Sequence, residues 1–358
     1  MDRLNAARRS YWVNVLACRT MAALVAFAGW AAPQAVAGPP ETADPVGAEA
    51  PFLKNVTQLT FSSMGLVNAG ESYFSPDAKS IIFQATPQGK ADYQIYTMDL
   101  AQRQPKMVST GKGACTCAYF HPGGKKILFA STHLDPNVDQ PKAKKTDGAY
   151  KWEFHEHMDI FEADLDGSNL KRLTDAPGYD AEGAYSADGK QIVFTSQRDG
   201  DLEIYVMSAD GSNPRRMTDG RGYDGGPFFS PDAKTIIYRG DRRGDGEMNL
   251  QLRVVNADGT NDHAIAENPI FNCCPYWYPS GKSFIFTQAD HRGRPNYDLY
   301  MMTPDGQKQT RITFDPAFDG LPVFSPDGKK LMWTSKRGGL DESQVFIADF
   351  TLPETLRE

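Results

Sequence analysis

Six short segments of the chain carry side chains suited to binding or catalysis, and they recur at similar intervals. They read NAGES, ACTCA, YDAEG, YDGGP, FNCCP and FDGLP, at residues 68–72, 114–118, 179–183, 223–227, 271–275 and 318–322. One aligned position holds Asp180, Asp224 and Asp319. Two residues later stand Glu71, Cys117, Glu182 and Cys274. Carboxylates and thiols gathered in this way suit metal ligation or acid–base chemistry.

His155 and His157 form a second candidate group, at the end of an insertion of roughly 133–156. In an extended backbone, side chains two residues apart point the same way, as a two-histidine metal half-site needs. The candidate ligands for a divalent metal are therefore His155, His157, Cys117 and Cys274. The alternative is a solvated or locally hydrogen-bonded histidine pair.

The cysteines leave several arrangements open. Cys273 and Cys274 could form an adjacent disulfide, stay reduced, or bond Cys115 and Cys117, which requires Cα atoms within about 7 Å. The aspartates also have a plain interpretation, as turn or capping residues of a repeat.

The elements that position these residues form an internal repeat. VFSPDGKKLMWTS, at 323–335, combines an apolar strand, a Pro-Asp-Gly turn and a second apolar strand. Five further copies begin at Tyr73, Tyr119, Ala184, Phe228 and Tyr276. Equivalent positions are separated by 46, 65, 44, 48 and 47 residues, and the insertion accounts for the long spacing. Each unit continues with a third strand, such as EIYVMSA at 203–209, and a fourth strand, such as RRMT at 215–218. Four short strands with this period predict a propeller blade.

The order of the strands predicts how the ring closes. A strand of the fourth type, VTQLT at 56–60, precedes every first strand, and the chain ends on a strand of the third type. We therefore expect an all-β, six-bladed propeller whose N-terminal strand completes the last blade and removes the open edge. The first strand of each blade lines the channel, so the six segments lie at its mouth. The predicted binding residues are Glu71, Asp180, Glu182, Asp224 and Asp319.

The N-terminal region predicts export. Four arginines, the apolar run 21–32 and the sequence AVA at 35–37 are typical of a secretory signal peptide. Lipidation at Cys18 is a weaker alternative. We expect a periplasmic or secreted protein with these segments: 1–37 signal peptide, 38–51 disordered linker, 52–352 propeller, 353–358 tail.

Charge and motif content argue against several classes of function. The formal net charge is −7 and no basic stripe is present, which argues against nucleic acid as a partner. The sequence contains neither a G-x-S-x-G motif nor a glycine-rich phosphate loop. We expect a monomer without a membrane span after signal cleavage.

The motifs FSPDGKK, FTSQRDGDLEIYVMSADGSNPRRMT and YDGGPFFSPD resemble the repeats of the TolB-like propeller family, over about residues 52–350. This resemblance implies a binding scaffold in the bacterial cell envelope, with an envelope protein, a peptide or a small ligand such as a saccharide at the channel mouth. The founding member carries an α/β domain ahead of its propeller, and only the short linker precedes these repeats. Interactions made through that domain are therefore not carried over.

Similar propellers include polysaccharide lyases that hold a metal with histidines on the channel face. The alternative function is thus a metal-dependent, lyase-like enzyme that uses His155, His157, Glu182, Cys117 and Cys274. It would need a metal to neutralise a uronate carboxylate and a base to remove the neighbouring proton. An acidic mouth disfavours an anionic polymer unless a metal is bound. The scaffold interpretation, which assigns no catalytic residue, is favoured.

Overall fold

The computed structural model describes residues 44–138, 154–242, 249–265, 268–292 and 295–357. The predicted signal peptide, Cys18, the first part of the predicted linker and residues 139–153 of the insertion lie outside this description.

The described chain folds into six antiparallel sheets of four strands each, so the predicted six-bladed propeller is confirmed. The innermost strands are Leu66–Phe74, Cys115–Phe120, Asp180–Tyr185, Tyr223–Phe229, Phe271–Trp277 and Asp319–Phe324. The second strands are Ser80–Pro87, Lys126–Ser131, Gln191–Ser196, Thr235–Asp241, Phe284–Ala289 and Lys330–Ser335. The third strands are Gln94–Asp99, Asp159–Asp164, Glu203–Ser208, Gln251–Asn256, Tyr297–Met302 and Gln344–Phe350. The outermost strands are Pro105–Met107, Lys171–Arg172, Arg215–Arg216, His263–Ala264, Gln309–Arg311 and, for blade six, Leu53–Gln58.

The N-terminal strand closes the ring, as the strand order predicts. Leu53–Gln58 pairs antiparallel with Gln344–Phe350. Each innermost strand contacts the innermost strands of the two neighbouring blades, around the whole ring. The pairing therefore joins the two ends of the described chain within one blade and leaves no gap between blades.

The hydrophobic core lies between the blades. The second and third strands bury nearly continuous apolar runs; in blade three, for example, Ile192, Val193 and Phe194 are fully buried. Such runs suit strands that are covered on both faces. Outermost strands are only two to six residues long, and short edges resist pairing with other chains.

The polar turns between first and second strands follow one design. In blade six, Ser325 Oγ donates to Asp327 and accepts from the backbone N–H of Lys330, at 2.7 and 2.9 Å. The turn residue that follows the aspartate has a positive φ, which glycine adopts without strain. Two blades place alanine there, Ala78 and Ala233, at φ of 55° and 56°.

Residues 44–51 differ from the expected disordered linker. Pro45–Glu49 form a short helix, and the side chain of Asp44 accepts the N–H of Gly47 at 3.0 Å. The buried Glu49 binds Arg337 at 3.1 Å and accepts the N–H of Phe314 at 2.8 Å. A buried cation thus anchors this segment to the propeller. The predicted tail contains a 3₁₀ turn at Glu354–Leu356, in which Leu356 is buried.

No helix within the described ranges has the length and apolar character that a membrane span requires.

Candidate functional site

A β-bulge interrupts the innermost strand of every blade at an equivalent position. The pairing register with the second strand shifts there in all six blades. The bulged residues all have φ between 41° and 59°: Glu71, Cys117, Glu182, Gly226, Cys274 and Leu321. Bulges of this kind redirect a side chain and end regular pairing.

Four of these bulged positions meet at the channel axis. Glu71 of blade one lies 3.8 Å from the sulfur of Cys117 of blade two. It interacts electrostatically with Glu182 of blade three. The hydrogen bond with Cys273 lowers the pKa of Cys274 of blade five, and both carboxylates act to raise it. Because these blades stand around the whole ring, their side chains can meet only at its centre. We call Glu71, Cys117, Glu182, Cys274 and Arg239 of blade four the mouth cluster.

An aromatic cluster fills the channel next to the mouth cluster. Its members stand two residues after the bulged positions of blades one, two, four and five: Tyr73, Tyr119, Phe228 and Tyr276. Ring centroids lie 5.0 Å apart for Tyr73–Tyr119 and 5.1 Å apart for Phe228–Tyr276, and the two pairs also contact each other. The hydroxyl groups of Tyr119 and Tyr276 are 3.3 Å apart. The aromatic cluster therefore packs in the channel directly below the mouth cluster.

Glu182 is held in a network of donors. Arg239 Nη2 binds Oε1 at 2.6 Å, Thr195 Oγ1 donates to Oε2 at 2.8 Å, and the backbone N–H of Gly226 donates to Oε2 at 2.7 Å. Arg239 also donates to the hydroxyl of Tyr223, at 2.9 Å. A Cβ on Gly226 would lie 2.3 Å from Arg239 Nη1, so the glycine of blade four makes room for this guanidinium. The negative charge of Glu182 is therefore neutralised by the ion pair with Arg239.

Glu71 has different surroundings. Burial, together with the negative charge of Glu182, raises its pKa from 4.5 to about 7, although Arg239 acts in the opposite direction. Its side chain contacts the thiol of Cys117, and it forms no ion pair with any residue that the structure describes. A carboxyl group of this kind is poised to gain a cationic or hydrogen-bond-donating ligand.

Three aromatic rings form a wall beside the mouth cluster. Phe154, at the end of the insertion, packs edge-on against Tyr179 at 5.2 Å and lies 5.6 Å from Tyr223. Burial, followed by the charges on Glu182 and Cys117, raises the pKa of Tyr179, so its ring lies near both side chains. The end of the blade-two insertion therefore reaches the mouth, as the sequence predicts for a loop between second and third strands.

Asp180, Asp224 and Asp319 do not lie on the open mouth, which corrects the predicted placement. They are at most 1% exposed and bind arginines of their own blades. The distances are 3.0 Å for Asp180–Arg198, 2.6 Å for Asp224–Arg242 and 2.7 Å for Asp319–Arg337. Burial raises the pKa of Asp224 to about 7, against the lowering effect of Arg242. These contacts match the plain interpretation, in which the aspartates belong to the repeat.

All four described cysteines are free thiols. Cys115 is buried beside Ser131 Oγ at 3.2 Å, whereas Cys117 faces Glu71. The sulfurs of Cys273 and Cys274 lie 2.9 Å apart. A bond between the two pairs of cysteines is thus not formed in the structure.

Of the four candidate metal ligands, Cys117 and Cys274 belong to the mouth cluster, and the two histidines contact other residues. His157 Nε2 lies 3.9 Å from Asp135 and 3.7 Å from the exposed Glu156. His155 accepts the N–H of Met158 through its backbone carbonyl. Among the described residues, no group of three or more His, Cys, Asp or Glu side chains is placed to hold a metal ion. The four donors His155, His157, Cys117 and Cys274 are therefore not brought together in the described part of the chain, and a divalent metal at the mouth stays a prediction.

Sequence reasoning missed Arg239, Tyr223 and Tyr179. The position of Arg239 in the second strand is occupied by threonine in blades three, five and six. An arginine in place of threonine in one copy of the repeat could have indicated that this position belongs to the site. The three arginines that pair with the buried aspartates were also visible, in SQR at 196–198, GDR at 240–242 and SKR at 335–337.

The fold and its central cluster define the class of the protein: a closed six-bladed β-propeller with a polar site at one mouth of a filled channel. The family model described as the TolB beta propeller domain matches residues 147–261 and 197–291. Among curated proteins, the Tol-Pal system protein TolB of Bordetella pertussis and that of Bordetella parapertussis are each 49% identical over 39 residues. Those matches cover 11% of this chain and 9% of each relative's length.

Solved structures agree on the fold. A putative TolB from Agrobacterium tumefaciens superposes with a TM-score of 0.56 and 21% identity, over 80% of this chain and 91% of that one. TolB from Acinetobacter baumannii gives 0.53 and 22%, over 68% and 54%. An oligogalacturonate lyase in complex with manganese gives 0.50 and 14%, over 85% and 94%. The chain therefore folds as a six-bladed β-propeller similar to TolB propellers, and its similarity to these solved structures, all under 25% identical, extends to the fold alone.

Proposed function

We propose that this propeller is a binding scaffold of the bacterial cell envelope that holds a cationic segment of a partner protein at the channel mouth. The observation that carries this proposal is Glu71, a half-buried carboxyl group beside an already neutralised Glu182. A lysine, an arginine or a free amino terminus would supply the positively charged partner that Glu71 lacks among the described residues.

The aromatic wall supports the same ligand class. Phe154 keeps part of its ring exposed and packs on Tyr179 and Tyr223, which are 7% and 4% exposed, so its free face is the aromatic surface of this wall. Long cationic side chains combine an apolar stem with a charged head, and aromatic faces attract both parts. The site thus suits a basic side chain of a folded or extended partner better than an anionic polymer.

The location in the envelope is supported by the predicted signal peptide and by the relatives. Those relatives are named as Tol-Pal system proteins, and the matched family model describes the same kind of propeller. The net charge of −7 also favours a basic partner over an acidic one.

A peptide selection tests the ligand class. A random heptapeptide library displayed on phage is selected on immobilised residues 38–358, and the same selection is repeated on the Glu71→Gln variant. We expect enrichment of lysine or arginine with the unaltered protein and loss of that enrichment with Glu71→Gln. The matched control is Glu354→Gln, a change at an exposed carboxylate of the C-terminal turn. Selection of acidic peptides, or equal enrichment on the Glu71→Gln variant, would overturn the proposal.

A further inference from the structure

We infer that Cys273 and Cys274 form a reversible redox site, a vicinal dithiol that a small-molecule disulfide oxidises to an intramolecular disulfide. Their sulfur atoms lie 2.9 Å apart, and both residues belong to the innermost strand of blade five. Cys274 is the bulged residue, with φ of 57°, which turns its side chain towards the mouth cluster. Cys273 is 5% exposed and packs beneath it.

The two thiols have different surroundings, which determine which of them attacks the oxidant first. Hydrogen bonding from Cys273 is the main cause that lowers the pKa of Cys274, and Arg239 adds to it, while burial opposes both. Burial raises the pKa of Cys273 instead. Since the thiolate is the reactive form of cysteine, Cys274 is the attacking group and Cys273 the second one. Cys274 is also the more exposed of the two, so a disulfide in solution can reach it through the mouth.

The reaction balances with one disulfide oxidant. The Cys274 thiolate attacks one sulfur of the oxidant, forms a mixed disulfide and releases the first thiol. Cys273 then loses its proton and attacks the Cys274 sulfur, which forms the intramolecular bond and releases the second thiol. The protein loses two hydrogen atoms, and one disulfide is reduced to two thiols.

Mass spectrometry tests the proposal, because trypsin separates the two pairs of cysteines. Cys273 and Cys274 fall in the peptide 254–282, while Cys115 and Cys117 fall in 113–125. The purified, fully reduced protein is treated with oxidised glutathione, blocked with N-ethylmaleimide in denaturant and digested. We expect peptide 254–282 to be lighter by two hydrogens and unlabelled, and peptide 113–125 to carry two maleimide groups. Dithiothreitol should restore labelling of 254–282.

Two variants sharpen the result. Cys117→Ser should leave closure of the 273–274 bond unchanged, and Cys274→Ser should abolish it. Full maleimide labelling of peptide 254–282, or glutathione retained on it, would overturn the proposal in the unaltered protein. Loss of closure in Cys117→Ser would overturn it as well, because it would indicate a bond across the channel.

Discussion

Arg239 of blade four binds Glu182 of blade three across the channel mouth, with 2.6 Å between Nη2 and Oε1. At the equivalent position, blades three, five and six carry Thr195, Thr287 and Thr334. Two of these threonines accept a backbone N–H of the next blade, that of Leu321 or Glu71. Blade four thus carries an ion pair with blade three at a position where blades five and six form a hydrogen bond to the next blade.

Replacing Arg239 with threonine should destabilise the propeller strongly. The two side chains are 10% and 12% exposed, so Glu182 would keep a largely buried charge without its cation. We expect the free energy of unfolding in urea to fall by about 3–5 kcal/mol. Combining Arg239→Thr with Glu182→Gln should recover part of this loss.

The control for that experiment is the exposed pair Lys330–Asp349, at 2.7 Å with both side chains nearly half exposed. Lys330→Thr should cost less than about 1 kcal/mol. Similar small costs for both variants would contradict a buried, coupled pair at the mouth.

The Glu71→Gln variant should change the pH dependence of stability. The pKa of Glu71 is about 7 in the folded protein against an ordinary value of 4.5. Between these values the folded state holds a proton that the unfolded state has lost, so the contribution of Glu71 to stability falls as pH rises through this window. Glutamine does not ionise, and we expect a gain of about 1–3 kcal/mol near pH 8 and none near pH 4.

Thermal unfolding across this pH window measures the effect. Glu354→Gln, at an exposed carboxylate, should leave the curve unchanged. A loss of stability in Glu71→Gln at the alkaline end would mean that Glu71 is paired in the folded protein.

In the turns between first and second strands, two substitutions should change the free energy of unfolding in opposite directions. Ala233 adopts φ of 56°, so Ala233→Gly should stabilise the protein by about 0.5–1 kcal/mol. Gly328 adopts φ of 69°, and a Cβ there would lie 2.7 Å from the hydroxyl of Tyr278. Gly328→Ala should cost about 1–3 kcal/mol, and equilibrium unfolding distinguishes the two signs. Destabilisation by both changes would contradict this account of the turn.

Glu49 should anchor the segment ahead of the first strand. Glu49→Ala removes the partner of Arg337 and of the Phe314 N–H, so we expect a loss of about 1–3 kcal/mol. Faster proteolysis of the segment around residues 44–51 should accompany it, measured by N-terminal sequencing of the fragments. Unchanged protease resistance would show that the helix is held by other contacts.

Most of the fold could be predicted from the sequence because the signals repeat. Six copies of one strand–turn–strand pattern agree with each other, and the order of strand types predicts closure through Leu53–Gln58. Residues 44–51 escaped prediction, since a segment rich in proline, alanine and glycine gives no sign that a buried arginine such as Arg337 will bind Glu49.

The candidate site could be predicted only in part, because a β-bulge interrupts the regular alternation of side-chain directions along a strand. Asp180 and Glu182 are two residues apart, and regular pleating would direct both side chains to the channel. The register shift between Ala181 and Ala184 separates them. Glu182 therefore joins the mouth cluster, while Asp180 is buried against Arg198.

The most direct test of the proposed function is the affinity of one selected peptide as a function of pH. A fluorescein-labelled lysine peptide and its norleucine counterpart are titrated with the protein between about pH 5.5 and about pH 8.5, around the pKa of Glu71. We predict that the lysine peptide binds about tenfold tighter than the norleucine peptide at the upper end, that the difference shrinks as Glu71 gains its proton, and that Glu71→Gln abolishes it. Equal affinity of the two peptides at every pH would contradict a cation-binding mouth.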